Sequence, residues 1–402
     1  MQTFSIKIIT IILGLISSII VTRGLGPEGR GIYSIALNIA LLGIQFGCLG
    51  LNNSNIYYSA KDNKVVNELI SNSLFLGLII FIFIIIIYFF SACFINFFPV
   101  SGLTLFLTLI WIPIFITSNL LQNLLLGINK VNYYNITELN GKILIFVTTF
   151  GLFFFNVKNL NLYLISNIIS FVYSILFSIF YLKKCFYNYE LKFYSEIFKK
   201  SIKYGILSYI ACLFLFIINK VDIFFIKKYL GNEITGYYAT ALLIIDNLNL
   251  LSTVVGILLF PKLVKMLDLV KKWNYVKKIS GYILLFNLLI CIIIILFGDI
   301  IVKILFGIKF VNTVPIIICM LPNVILTSIS NVFGNFITSI DVPKILLFFY
   351  FILMILNYYL NYYLILNFGI YGAISVSILT KVLIVIGLFL ISKNIISNKV
   401  MV

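Results

Sequence analysis

Residues 22–33 read TRGLGPEGRGIY, and the chain returns to this pattern at half its length. LGPEGRGIYSIAL at 25–37 aligns without gaps on LGNEITGYYATAL at 230–242. Seven of the thirteen positions are identical, at an offset of 205 in a chain of 402 residues. Chance identity in a biased composition would not place both copies at the same point of two equal halves. A weaker echo supports the pairing. Pro113 and Pro322 are each followed shortly by a Thr-Ser pair, Thr117-Ser118 and Thr327-Ser328.

Composition says what the halves are built from. Hydrophobic residues make up 62% of the chain and charged residues 10%. A soluble domain is nearer half apolar and a quarter charged. The chain therefore reads as an integral membrane protein, in which each span needs ~20 apolar residues. Apolar runs at 4–22, 31–58, 69–94, 103–127, 139–156, 160–182, 204–226, 236–260, 280–298, 313–337, 345–366 and 370–391 predict about twelve spans with little chain outside the bilayer. The N-terminal run has sparse charge, no small-residue cleavage site follows it, and further apolar runs do, so it is taken as the first span.

The predicted fold is all-α, with two six-helix lobes. An even number of spans per half gives both lobes the same orientation, so the repeat is parallel, about a pseudo-two-fold axis along the membrane normal. The lobes are expected at 1–182 and 204–402, joined by a basic linker at 183–203. Two similar lobes predict a substrate cavity between them near the midplane.

Nineteen lysines fall near one side of the spans, against Arg23, Arg30, Lys158, Lys227, Lys228, Lys303 and Lys309 on the other. The positive-inside rule puts both termini in the cytoplasm and the TRGLGPEGRG turn outside. The net charge of +17 then serves orientation and anionic lipid rather than nucleic acid. No histidine is present, which removes histidine catalysis, ligation and proton relay. The cysteines at 48, 93, 185, 212, 291 and 319 show no CxxC pairing and read as small hydrophobes. No cofactor or metal is expected, and the protein is expected to be a monomer.

KLVKMLDLVKKWNYVKK at 262–278 places Leu263, Leu267, Val270 and Trp273 at helical spacing among six lysines. It reads equally as a basic amphipathic helix in the interface and as a solvated orientation signal.

Polar residues recur inside the spans. Asn38, Gln45 and Asn52 fall seven apart, on one helical face with Gly31 and Ser34. Asn323, Thr327, Asn331 and Asn335 fall four apart. These two stripes suit a hydrated cavity. The serines at 166, 170, 174 and 178, with Asn357 and Asn361, read as glue between helices. Charges within spans are costly and point to function or pairing. They are Lys142, Lys220, Asp222, Asp246 and Lys381. Lys220 and Asp222 are two apart and do not face each other on a helix. Two readings compete: an internal ion pair, such as Asp246 with Lys381 or Lys142, and a cationic cavity whose acids couple transport to Na+ or H+.

The chain holds two arginines, Arg23 and Arg30, both in the opening stretch. By the repeat, Arg23 aligns on Lys228, so each lobe presents a cation just before its Leu-Gly turn. A guanidinium suits phosphate because its planar fork meets two oxygens at once. Arg23 is thus the stronger candidate for an anionic group. Arg30 aligns on Thr235 and is left to cap the turn beside Glu28 or meet lipid headgroups.

R-x-LGPE-x-x-G-x-Y, with NKVDIFFIKKYLG (219–231), GYYATALLI (236–244) and LLGINKVNYYN (125–135), resembles the polysaccharide biosynthesis proteins, the oligosaccharide and O-antigen flippases of the multidrug/oligosaccharidyl-lipid/polysaccharide (MOP) exporter superfamily. The resemblance runs the length of the chain. It implies a flippase of the bacterial inner membrane that moves an oligosaccharide on undecaprenyl pyrophosphate by alternating access, without ATP. Polysaccharide polymerases and glycosyltransferases are the implied partners, alongside membrane lipids. On this resemblance Arg23, Lys142, Lys220 and Lys381 offset the pyrophosphate charge, and Asp222 matches the seventh-span aspartate. Gly24 stands where related lipid-carrier flippases place an acid after the arginine.

Rival readings weigh less. A drug antiporter of the same fold would favour acids over cations in the cavity. A membrane glycosyltransferase or polymerase would carry a large outer domain and clustered acids or histidine. A sugar facilitator would carry a G-x-x-x-D-R-x-G-R-R loop, where residues 59–68 read SAKDNKVVNE.

Overall fold

The computed structural model describes residues 2–91, 98–185, 192–266, 268–340 and 344–400. Among them every regular element is a helix. The helices are α1 (Gln2–Gly47), α2 (Leu51–Lys61), α3 (Val66–Ser91), α4 (Gly102–Gly127), α5 (Val131–Phe154), α6 (Leu160–Cys185), α7 (Ser195–Lys265), α8 (Leu269–Phe306), α9 (Thr313–Thr338) and α10 (Lys344–Val400). Isoleucine-rich runs would favour strands in water. In lipid every backbone group must be satisfied within its own segment, and the helix does this. Nine of the described helices are long and apolar enough to cross a membrane. The protein is a multi-pass membrane protein.

Three of these helices break at one residue. Gly26 (φ 70°, ψ 179°) interrupts α1, Gly231 (φ 85°, ψ −176°) interrupts α7, and Gly369 (φ 57°, ψ −138°) interrupts α10. Gly26 and Gly231 are the paired glycines of the sequence repeat. They adopt nearly the same backbone conformation, in a region open essentially to glycine alone. Pro27 follows the first break, where a helix's opening residue has no use for its N–H.

The chain divides into two compact units, Met1–Leu213 and Phe214–Val402. In the first, α4 is the most enclosed helix, with Ile116, Leu120, Leu121, Leu124 and Leu125 fully buried. It packs on α1, α3 and α6. Its core continues through Leu69 and Ile70 of α3, Leu182 of α6 and Ile197 of α7. In the second unit α9 has the same place, with Met320, Val324, Val332, Phe336 and Ile337 buried, packed on α8 and α10. These are the helices that carry Pro113 and Pro322. Ser118 and Ser328 are both fully buried, and each accepts from a side-chain amide, Gln122 at 2.8 Å and Asn287 at 2.7 Å.

Several expectations are corrected. The run 31–58 is not one helix. It ends at Gly47 and restarts at Leu51, through Leu49 (φ 46°) and Gly50 (φ 75°). The cause is a close crossing: a Cβ on Gly50 would stand 2.7 Å from the carbonyl oxygen of Gly205 in α7. The helix end exposes the carbonyl of Gln45, which accepts from the Tyr209 hydroxyl. α5 starts at Val131, two turns before the expected 139. The segment 262–278 does not form a separate interfacial helix. Leu263 ends in α7, Trp273 begins α8, and both pack into the core of the second unit, whereas Val270 is exposed. Leu267, Cys93 and linker residues 186–191 lie outside the described residues. The five described cysteines are unpaired.

Candidate functional site

The spanning charges of the second unit gather where the two arms of α7 meet α10. Lys220 Nζ lies 3.4 Å from Asp246 Oδ2. Lys381 Nζ, on α10, donates to Asn219 Oδ1 at 2.6 Å. Asp222 is buried. It accepts from the Tyr238 hydroxyl through one oxygen and from the N–H of Ile223 at 2.8 Å through the other. Asp246 is thus paired within its own helix, across the Gly231 break, and not with Lys381. Lys220 and Asp222 take separate partners, as their two-residue spacing requires. The cluster is balanced, two lysines against two aspartates.

The first unit is arranged differently. Lys7 of α1 donates to both oxygens of Glu138 on α5, at 2.7 and 2.8 Å. Lys142 stands one turn beyond Glu138. Arg23 is exposed at the end of the first arm of α1. Arg30 is buried in the opening turn of the second arm, with its guanidinium 5.7 Å from the centre of the Tyr33 ring. The Tyr33 hydroxyl accepts from Asn167 Nδ2 of α6 at 2.9 Å.

The amide stripes are mostly satisfied locally. Asn38 donates to the carbonyl of Ser34 at 2.7 Å, and Asn335 to that of Asn331 at 2.9 Å. Asn323 donates across to Ser377 of α10 at 3.0 Å. The carbonyl oxygens of the Asn38, Asn52 and Asn323 side chains are enclosed without a donor. Asn52 sits past the break, in α2. Asn331 and Gln45 are partly exposed. Of the span-six serines, Ser170 bonds across to the carbonyl of Gly141, whereas Ser166 and Ser174 bond back along α6.

Sequence reasoning passed over Glu138, Asn167 and both tyrosines. Tyr33 and Tyr238 are an identical pair in the repeat, and that identity was the available signal. Glu138 stands one residue before the expected start of its span at 139, in a stretch too polar to mark as spanning.

The match to known proteins follows this architecture. A family model described as polysaccharide biosynthesis protein matches residues 2–267, a stretch that includes both copies of the turn. A putative O-antigen transporter of Shigella flexneri is 27% identical over 300 residues, 71% of this chain and 70% of that one. Among solved structures, the lipid II flippase MurJ in an inward closed conformation superposes with a TM-score of 0.79 at 19% identity, covering 98% of this chain and 87% of that one. An inward-facing multidrug resistance MATE family transporter of the MOP superfamily gives 0.75 at 16%, covering 97% and 95%. The fold is therefore the one these transporters share, and with two thirds of its length matched by the family model, the chain belongs to the polysaccharide biosynthesis protein family.

Proposed function

We propose that the protein is a flippase that carries oligosaccharide repeat units on undecaprenyl pyrophosphate across the bacterial inner membrane, for O-antigen, capsular or exopolysaccharide synthesis. The observation that carries this reading is the family match through both turns of the repeat. The fold supports it. Each broken helix has arms long enough for a bilayer: the 21 residues Ser5–Leu25 of α1, at ~1.5 Å each, span about 30 Å. Among the described residues, counting the arms of α1, α7 and α10 separately is consistent with twelve spans, and on this reading both termini lie in the cytoplasm.

On this reading the protein works as a monomer by alternating access. The lipid tail stays in the bilayer while the sugar crosses. Asn38, Gln45, Asn52, Asn323, Asn331 and Asn335 offer hydrogen bonds to sugar, and Arg23, Lys142, Lys220 and Lys381 offset the pyrophosphate charge. Na+ or H+ coupling falls to Asp222 or Asp246. A polymerase and glycosyltransferases supply and consume the substrate.

The test is complementation of a strain that lacks its own repeat-unit flippase. Expression restores surface polysaccharide and relieves accumulation of lipid-linked units. The reading is overturned if membrane-inserted protein restores no polysaccharide. It is replaced by the antiporter reading if the protein instead protects a drug-sensitive strain.

A further inference from the structure

Among the described residues, Arg30 is a buried charge without an anionic partner. Arg30 is 6% exposed, in the first turn after the Gly26 break. Its Nε is enclosed without an acceptor. Among the described residues the guanidinium makes no ion pair, and the Tyr33 ring is its one close electrostatic neighbour. A buried cation without an anion is strongly disfavoured. Its position adds to the cost, because the opening turn of a helix carries the positive end of the dipole.

Both of these groups, the guanidinium and the Tyr33 hydroxyl, are donors. A guanidinium has five N–H donors and no acceptor. The Tyr33 hydroxyl already accepts from Asn167, so its own O–H is left to donate. The repeat shows what is missing. In the second copy the equivalent Tyr238 donates to a built-in carboxylate, Asp222. At the same offset the first copy has Ser17 in place of Asp222, and Arg30 in place of Thr235. One copy supplies its own anion. The other presents a cation and a hydroxyl and supplies none.

We propose that Arg30 and Tyr33 form a binding station for an anionic oxygen group of the transported glycolipid, a phosphate of the carrier or a carboxylate of the sugar. The station lies wholly within the first unit, between α1 and α6, and rests on the flippase reading. Arg30 grips two oxygens with its planar fork, and Tyr33 donates a third bond. Arg23, seven residues earlier and exposed, is not part of it.

The test uses the full-length protein purified in detergent at matched ionic strength, with farnesyl pyrophosphate, glucuronate and farnesol as probes. Farnesyl pyrophosphate or glucuronate raises the apparent Tm in a concentration-dependent way, and farnesol does not. Arg30→Gln weakens that binding about tenfold or more, and Arg30→Lys less. A response to the pyrophosphate identifies the carrier's phosphate; a response to glucuronate identifies an acidic sugar. Without ligand, Arg30→Gln melts at or above the wild type, because an unpaired buried charge has gone. The proposal is overturned if neither anion binds, if farnesol matches them, if Arg30→Gln responds as the wild type does, or if that variant melts well below it. Complementation by the wild type is scored separately. Restored polysaccharide with no anion response removes the station alone, whereas failed complementation removes the flippase reading.

Discussion

Tyr238 and Asp222 lie on opposite sides of the Gly231 break, and the tyrosine hydroxyl donates to the aspartate carboxylate. Both residues are buried. The bond ties the two arms of α7 together at the turn that defines the second copy of the repeat.

Loss of that donor is expected to be costly. Tyr238→Phe leaves a buried carboxylate with the Ile223 N–H as its remaining donor, a penalty of about 1.5–3 kcal/mol for a bond to a charged group. Asp222→Asn keeps an acceptor for the tyrosine and is expected to be milder. Thermal unfolding in detergent ranks the two, and equal melting of Tyr238→Phe and wild type would remove the clamp.

The crossing of Gly50 and Gly205 leaves no room for a side chain. A Cβ on Gly205 would stand 2.8 Å from the carbonyl carbon of Gly50, backbone that cannot swing aside. Gly205→Ala is expected to lower the yield of monodisperse protein in size-exclusion chromatography. Gly50→Ala is expected to do worse, since its positive φ adds about 1–2 kcal/mol of strain. Wild-type yield from either variant would mean that the helices do not cross there.

The basic segment before the ninth predicted span is core on one side. Trp273 packs against Phe333, Phe336 and Phe389 with ring centres 5.5, 5.2 and 5.8 Å away. Trp273→Ala is expected to cost about 3–5 kcal/mol. Val270→Ala, on the exposed side, is expected to be silent. Similar melting of the two variants would return the segment to the lipid interface.

The Lys220–Asp246 pair is open on one side, with Asp246 58% exposed. A pair that water reaches in a hydrated cavity contributes about 0–1 kcal/mol. Asp246→Asn is therefore expected to leave membrane abundance unchanged. If abundance holds while export falls, Asp246 acts in coupling. If abundance falls and the Lys220→Asp, Asp246→Lys exchange restores it, the pair is structural.

Asp268 opens α8. Its carboxylate accepts from the backbone N–H groups of Val270 at 2.9 Å and Lys271 at 3.1 Å. The bond from Lys271 is the main cause that holds its pKa below the usual 3.8. The cap is therefore fully present above the ordinary carboxylate range and is lost as pH falls through the depressed value. Amide exchange at Val270 and Lys271 is expected to speed up at acid pH beyond the intrinsic trend. Asp268→Asn caps without a charge and is expected to abolish the pH dependence.

The turn repeat was legible because it is a backbone requirement. Gly26 and Gly231 are needed for one conformation, and that need is written in residue type. The spans were legible because lipid demands long apolar helices. The break at 48–50 was not, since its cause is Gly205, distant in sequence and invisible to a seven-residue stripe. Partners of charges were equally hidden. Spacing excluded Lys220 with Asp222, but nothing in the order of residues could select Lys220 for Asp246 or Glu138 for Lys7. The two arginines show the same limit. Composition marked both, yet only packing separates an exposed Arg23 from a buried Arg30.

The single-glycine breaks also govern how the protein meets the world outside the bilayer. At positions 26, 231 and 369 the chain reverses into its next arm without spending residues on a loop. A protease needs several extended residues to cut, and an antibody needs a protruding segment to grip. These three turns offer neither. Each of these turns is expected to resist nicking, and epitope tags inserted there would disrupt helices rather than decorate loops.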